Sequence, residues 1–135
     1  MVQIIVAEDC GNAPKKGFIR DFNIAFAHQD IAAILDCVTD DVRWNRVGKG
    51  RTEGKGAFAS ALEEMSGPAV TRMVIENIIT HGNVGAANGT VTFADGKTFA
   101  FCDVYRFGSF RKTARIKEVT SYVIPVQEES TPDAP

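Results

Sequence analysis

The chain has 135 residues, of which 44% are hydrophobic and 24% are charged, and its formal net charge at pH 7 is −2. This composition is typical of one globular domain that is large enough to enclose a cavity within its core. The basic residues are scattered and form no stripe that would bind a phosphate backbone, so we expect no nucleic-acid partner.

The first seven residues are apolar, but no basic segment precedes them and they run directly into Glu8 and Asp9. They predict neither a signal peptide nor a membrane span, and we expect a cytoplasmic protein with no membrane partner. The three cysteines, Cys10, Cys37 and Cys102, are an odd count without a C-x-x-C pair, which predicts reduced thiols. Cys37 and Cys102 lie in apolar sequence and are expected to be small core residues.

No motif in the chain predicts a cofactor. His28 and His81 have no companions at the spacing of metal ligands, so no metal site is expected. The glycine-rich segment 48–54 lacks the Gly-Lys-Ser/Thr ending of a phosphate-binding loop, and its glycines are interpreted as turn residues.

Apolar residues recur at helical spacing in three segments of the first half of the chain. The first helix is expected to begin at Pro14, the second to follow an Asp30 N-cap and end near residues 39–41, and the third to run from Lys55 to Met65. A short strand is expected over 42–47, between the second and third helices.

Four antiparallel strands are expected in the second half of the chain, because segments rich in β-branched and aromatic residues alternate with turns. They cover Thr71–His81, Val84–Phe93, Lys97–Phe107 and Ala114–Val126. The predicted fold is α+β: a cone-shaped, curved antiparallel sheet with three N-terminal helices over its concave face, forming one domain over 1–126. The acidic, proline-bearing tail 127–135 is expected to be disordered. A small ligand would bind at the mouth of such a cone.

One strand places an acid in a row of aromatic rings. Because strand side chains alternate between faces, Phe99, Phe101, Asp103, Tyr105 and Phe107 should share one side of the sheet. If that side is buried, desolvation raises the pKa of the Asp103 carboxyl, which keeps a neutral acid available as a donor or poises a base. The alternative is that Asp103 lies at a solvated rim or pairs with an arginine.

Four short segments, taken in order, carry a resemblance to a known family. They are Ala27-His28-Gln29-Asp30, Thr39-Asp40-Asp41-Val42, Gly54-Lys55-Gly56-Ala57-Phe58 and Cys102-Asp103-Val104-Tyr105-Arg106-Phe107. From about Phe18 to Ile124 the chain resembles the nuclear-transport-factor-2-like superfamily, in particular its SnoaL-like polyketide-cyclase and ketosteroid-isomerase branches. The resemblance implies a cystatin-like fold and a homodimer formed through the outer face of the sheet.

The resemblance also implies which familiar mechanisms the chain lacks. Asp103 matches the oxyanion-binding acid of ketosteroid isomerases, but the tyrosine position falls on Phe22 and the proton-shuttle position falls at or beside Asn45. Phenylalanine has no hydroxyl and asparagine is no base at neutral pH, so that route is not expected. The relay positions of limonene-epoxide hydrolases fall on Asn88, Thr90 and Ser121, which offer no base either.

The remaining expectation is an aromatic pocket with a few polar groups, suited to a flat apolar molecule that carries one or two oxygens. Asp103 is the candidate general acid or base, with Tyr105 or Asn45 assisting. The candidate ligand-binding residues are Phe22, Phe26, Trp44, Phe58, Leu62, Asn88, Phe101 and Ser121. Glu118 is expected on the outer face, by alternation with Val119, Ser121 and Val123.

Three alternatives stay open at this point. The aromatic rings could simply fill the cone and leave no cavity. The cavity could bind a ligand without catalysis, because the familiar base is missing. The domain could also serve as an interaction module, for which Phe110 beside Arg111-Lys112 is the one indication.

Overall fold

Seven strands form a single sheet, and three helices pack against it. The computed structural model describes residues 2–7, 13–65 and 67–127. In chain order the elements are β1 (Gln3–Val6), α1 (Pro14–Ala27), α2 (Ile31–Asp36), β2 (Val38–Arg46), β3 (Gly50–Glu53), α3 (Lys55–Glu64), β4 (Val70–His81), β5 (Val84–Phe93), β6 (Thr98–Phe107) and β7 (Ile116–Val126). Within these residues, no helix is long and apolar enough to cross a membrane.

The strand order across the sheet is β1-β4-β5-β6-β7-β2-β3. Strands β4 to β7 form the expected antiparallel meander. The sheet is nevertheless mixed, because β1 pairs in parallel with β4 and β2 pairs in parallel with β7. The predicted α+β fold with its antiparallel meander is confirmed, whereas the two parallel pairings, whose strands are connected by long crossovers, were not predicted.

Two strands were not predicted, and one strand is longer than predicted. The apolar segment 3–6 forms β1, and the polar, glycine-containing segment 50–53, interpreted as a turn, forms β3 at the sheet edge beside β2. Strand β2 begins at Val38 because α2 already ends at Asp36. The Asp30 side chain accepts a hydrogen bond from the backbone N–H of Ala33 at 3.2 Å and so forms the expected N-cap of α2.

The strand β4 is bent by a bulge between Ile75 and Asn77, opposite β5. A side chain on Gly89 of β5 would overlap the carbonyl oxygen of Val74, so only glycine allows the two strands to approach this closely. On the same strand, a Cβ on Gly85 would lie 2.7 Å from Cδ1 of Ile19 in α1. Gly89 therefore lets β5 approach β4, and Gly85 lets β5 approach the first helix.

The helices pack on the concave side, where α1 contacts β4, β5 and α2, and α3 contacts β2, β3 and α2. Their apolar faces and the inner face of the sheet form one hydrophobic core. Cys102 is exposed, so the expectation that it is a core residue was wrong: it directly precedes the inward-facing Asp103 and therefore points outward. Cys37 is partly buried, whereas Cys10 and residues 128–135 of the predicted tail lie outside the described residues.

The tight approach of β4 and β5 generates a stability prediction. Replacing Gly89 with alanine should lower the free energy of unfolding by about 1–3 kcal/mol, because the backbone of β4 must move to admit the methyl group. Gly56 in α3 is the matched control, since a Cβ there meets no atom within 4 Å. Gly56→Ala should be neutral or stabilise the protein. Urea unfolding of the two variants checks this, and equal stability of both would contradict the packing argument.

Candidate functional site

The helices and the inner face of the sheet enclose a cavity of about 470 Å³, within the range of small-molecule sites. The cone is therefore hollow, and the alternative in which side chains fill it is not what the structure shows. Several residues that line the cavity are exposed to solvent, among them Val47, Lys49 and Met65. The part of the wall that these three residues form is called the mouth below.

Aromatic rings form much of the cavity wall. Phe26 contacts Phe22 and Trp44 edge to face at centroid distances of 5.1 and 6.1 Å, and Trp44 contacts Phe58 at 5.1 Å. Leu62 of α3 and Phe101 of β6 also line the cavity. With Ser121 of β7, the structure brings together seven of the eight residues expected to bind a ligand.

The Asp103 carboxyl lies in the cavity wall on β6 and receives hydrogen bonds from two hydroxyl groups. Tyr105 Oη donates to Asp103 Oδ2 at 3.3 Å, and the Ser121 hydroxyl donates to the same carboxyl group. Ser121 Oγ in turn accepts a hydrogen bond from Trp44 Nε1 at 2.9 Å. Asn23 Nδ2 donates to Tyr105 Oη at 2.9 Å. Four side chains from α1, β2, β6 and β7 therefore surround the acid in one hydrogen-bond network, called the Asp103 network below.

Burial raises the pKa of Asp103 to about 6, and the two hydroxyl donors only partly oppose this effect. Asp103 as a residue keeps some accessible surface and lines the cavity. With this pKa the carboxyl is mostly ionised at pH 7 and roughly one tenth is protonated, so it acts first as a proton acceptor. Burial, and then the neighbouring Asp103, raise the pKa of Tyr105 well above its ordinary value, which keeps the phenol a neutral donor.

Among the described residues, no lysine or arginine forms an ion pair with Asp103. The alternatives of a solvated rim and of an arginine pair therefore do not describe this carboxyl group. Nor do the described residues contain a group of three His, Cys, Asp or Glu side chains that could hold a metal ion.

Two of the expected site residues lie on the wrong face of the sheet. Asn45 is paired with Thr120 and Arg51, and its neighbour Trp44 faces the cavity, so Asn45 faces outward. Asn88 pairs with the exposed Cys102, and its Oδ1 accepts a hydrogen bond from Asn77 Nδ2 at 3.0 Å on the outer face. The expectation that they contribute to the cavity was wrong in both cases.

Tyr105 contacts the Asp103 carboxyl but is not among the residues that line the cavity. Its ring is fully buried against Phe22, and only its hydroxyl reaches the Asp103 carboxyl. Its position favours a role in holding Asp103 over contact with a ligand. Glu118 lies on the outer face as expected, between Arg43 and Arg106 at 3.7 and 3.8 Å.

The sequence reasoning missed four polar residues that line the cavity: Asn23, Gln29, Arg46 and Lys49. Arg46 follows Trp44 by two positions on β2, so strand alternation could have placed it on the inner face. Asn23 follows Phe22 on α1, and its inward orientation depends on how the helix is rotated over the sheet. No local pattern shows that rotation.

A model of the SnoaL-like domain family matches residues 19–118 of the chain. The match spans most of the chain, which therefore belongs to the SnoaL-like domain family. A search of curated proteins found no match.

Solved structures share this fold. A nuclear-transport-factor-2-like protein of unknown function from Cytophaga hutchinsonii is 29% identical, with a TM-score of 0.58 over 81% of this chain and 98% of that one. A proposed ketosteroid isomerase from Kribbella flavida is 12% identical, with a TM-score of 0.68 over 88% and 83% of the two chains. An LEH-like epoxide hydrolase from M. tuberculosis is 20% identical, with a TM-score of 0.67 over 82% of each chain. At these identities the last two show the fold alone.

The raised pKa of Asp103 predicts how stability depends on pH. The folded protein holds this proton more tightly than the unfolded chain, in which an aspartate has its ordinary pKa of 3.8. The stabilisation is therefore fully present below about pH 4 and is lost as the pH rises through about 6. Relative to Asp103→Asn, the wild-type protein should lose roughly 2 kcal/mol of unfolding free energy between pH 4 and pH 7.5.

Urea unfolding at several pH values measures this difference, and the carboxyl ¹³C shift of Asp103 gives its pKa directly. Asp36→Asn replaces an exposed aspartate and serves as the control. Tyr105→Phe removes one donor to the carboxylate and should raise the pKa of Asp103 further. A wild-type protein and an Asp103→Asn variant with parallel pH profiles would show that the carboxyl is not desolvated.

Proposed function

We propose that this protein binds a small apolar or polycyclic metabolite that carries oxygen, and that Asp103 exchanges a proton with the bound molecule. The observation that supports this proposal is a single carboxyl group with a pKa of about 6 in the wall of an otherwise largely apolar cavity. Perturbed acids in clefts are typical of catalytic sites, although ion-pair networks can also perturb them. Asp103 has no such ion pair among the described residues.

The cavity favours a flat ligand. Rings such as Phe26, Trp44 and Phe58 supply contact area to an aromatic or polycyclic body, and an oxygen on that body can hydrogen-bond to the acid. A cavity of about 470 Å³ has room for two or three fused rings. The aromatic rings of the cavity wall therefore favour a flat apolar ligand, and a hydrogen bond to Asp103 would orient it.

Isomerisation and aldol-type cyclisation both begin when a base removes a proton from the carbon next to a carbonyl group. The Asp103 carboxylate would take that proton, and the electron pair of the C–H bond would move into the enolate. The protonated Asp103 would then return the proton to carbon or oxygen. Since Asp103 is the only acid among the described residues that line the cavity, one group must perform both steps.

This role of Asp103 differs from the ketosteroid-isomerase mechanism that the family resemblance suggests. Phe22 supplies no hydroxyl, and the outward-facing Asn45 supplies no proton shuttle. The names of the structural neighbours, an isomerase and an epoxide hydrolase, fit a cavity that binds small organic molecules. A protein that only binds such a molecule is the second candidate, favoured by the presence of a single acid.

Deuterium exchange separates the two candidates without knowledge of the natural ligand. The probe is 2-tetralone, a flat bicyclic ketone with exchangeable protons beside its carbonyl group. In D₂O at pD 7.5, the wild-type protein should accelerate loss of the α-proton NMR signals above the buffer rate. Asp103→Asn should lower the protein-catalysed exchange rate by a factor of at least about 10², which is the usual contribution of a general base.

Binding of 2-tetralone is measured in parallel through quenching of Trp44, the only tryptophan in the chain. Asp36→Asn is again the control and should exchange at the wild-type rate. Binding without accelerated exchange would show a binding protein and would refute the catalytic half of the proposal. Exchange that survives Asp103→Asn would assign the chemistry to another group.

We also propose that two copies of the chain associate through the outer face of the sheet. Large apolar residues are exposed there on three strands, and strand pairing places them on the same side as Cys102. They are Ile79, Val104, Tyr122, Ile124 and Val126. Contiguous exposed apolar surface of this kind is typical of protein interfaces.

Static light scattering tests the association. The wild-type protein should have twice the 14.6 kDa mass of one chain, and the double variant Val104→Glu, Ile124→Glu should have the mass of a monomer. Phe110→Glu is the control, because this exposed ring lies in the loop between β6 and β7 and outside the patch. A monomeric wild-type protein would contradict the homodimer and leave the patch as a surface for a different protein.

A further inference from the structure

Two basic residues of β2 and the following turn line the cavity near its mouth. Arg46 ends β2, and Lys49 lies in the turn that leads to β3. The Arg46 guanidinium carbon lies 5.0 Å from the centroid of the Trp44 ring, which holds the planar group against the cavity wall. The cavity therefore has a basic rim beside an aromatic wall.

The Arg46 side chain has an unused donor. Its Nε is buried and makes no hydrogen bond with any described residue. Neither Arg46 nor Lys49 forms an ion pair in the described part of the chain, whereas Arg43, Lys55 and Arg106 each pair with an acid. The Arg46 guanidinium therefore lines the cavity without an anionic partner among the described residues.

Strand register gives the relation between this rim and the acid. Asp103 pairs with Ser121 on β7, and Ser121 pairs with Arg46 on β2, so the three residues lie on one line across the sheet. At the usual spacing of strands, the Cα atoms of Asp103 and Arg46 are roughly 10 Å apart. A fused two-ring molecule with a polar group at each end spans such a distance.

We propose that the cavity selects ligands with an ionised carboxylate at one end, which Arg46 binds, and a neutral oxygen at the other end, which meets Asp103. This inference rests on the proposed function of the cavity and adds the substrate class. Arginine suits the task because its planar guanidinium can bind a carboxylate through two parallel hydrogen bonds. Lys49 adds positive charge at the mouth.

The positions of Arg46 and Asp103 also set the orientation of the bound ligand. A carboxylate beside Asp103 would repel the ionised form of that group, whereas a carboxylate at Arg46 meets a cation. The reacting oxygen or carbon is therefore placed at Asp103 and the anionic end at the mouth. Arg46 acts as a specificity-determining residue and takes no part in the proton transfer.

Two probes that differ only in the anionic group test the inference. They are 2-naphthol and 6-hydroxy-2-naphthoate, and their dissociation constants are measured by isothermal titration calorimetry at pH 7.5. The wild-type protein should bind the naphthoate at least about tenfold more tightly than the naphthol, the effect of one charge-assisted hydrogen-bonded pair. The preference should fall as salt concentration rises.

Variants assign that preference to individual residues. Arg46→Gln should reduce the ratio of the two dissociation constants to near one, Arg46→Lys should restore part of it, and Lys49→Gln should reduce it less. Arg51→Gln is the matched control, since Arg51 lies on β3 opposite the outward-facing Asn45 and should keep the wild-type ratio. Melting temperatures of all variants show whether each one folds.

The outcomes distinguish this inference from the function on which it rests. Equal affinity of the wild-type protein for both probes, or a preference that survives Arg46→Gln, overturns the inference and leaves the proposed cavity function intact. Binding of neither probe overturns both. Should Arg46→Gln fail to fold, a preference that is unchanged in Arg46→Lys and insensitive to salt overturns the inference equally.

Discussion

The structure around the cavity depends on a carboxyl group held in a largely dehydrated position by two hydroxyl donors. Burial opposes ionisation of Asp103, and the hydroxyls of Tyr105 and Ser121 oppose that effect only in part. Neither hydroxyl is free to turn away, because Asn23 donates to one and Trp44 donates to the other. Tyr105 and Ser121 therefore orient the Asp103 carboxyl, and Asn23 and Trp44 hold these two hydroxyl groups in place. Proton transfer requires a group that is preorganised in this way.

The Asp103 network also explains how the cavity stays hollow. Its members come from α1, β2, β6 and β7, so it ties the first helix and three strands together at the cavity wall. The ring of Phe26 contacts the rings of Phe22 and Trp44 edge to face. These rings pack against one another along the wall and leave the centre of the cone unfilled. The bulge in β4 and the missing side chain at Gly89 let β4 and β5 pack closely where the sheet bends.

Strand periodicity predicted the inner face of β6 and β7 well, since alternation alone places Phe101, Asp103 and Ser121 on one side. The same alternation places Asn45 on the outer face once Trp44 faces inward. The prediction that Asn45 lies in the cavity came from the family resemblance and conflicts with this alternation. Strand β3 could not be predicted, because its Gly-Arg-Thr-Glu sequence has no apolar alternation and is ordered only by pairing with β2. Contacts between distant segments, such as Asn23 with Tyr105, have no local signal at all.

The positions of Arg46 and Asp103 make ligand binding and protonation interdependent. In the free protein, Arg46 carries a positive charge in the cavity wall, while burial sets the raised pKa of Asp103. A ligand carboxylate that pairs with Arg46 would neutralise this charge and displace water from the cavity, and both effects disfavour the Asp103 carboxylate. The pKa of Asp103, already raised to about 6, would therefore rise further in the complex. With a single acid in the cavity wall, such a shift matters chemically: it strengthens the carboxylate as a base when the ligand arrives, and it keeps the abstracted proton on Asp103 until the product can take it back.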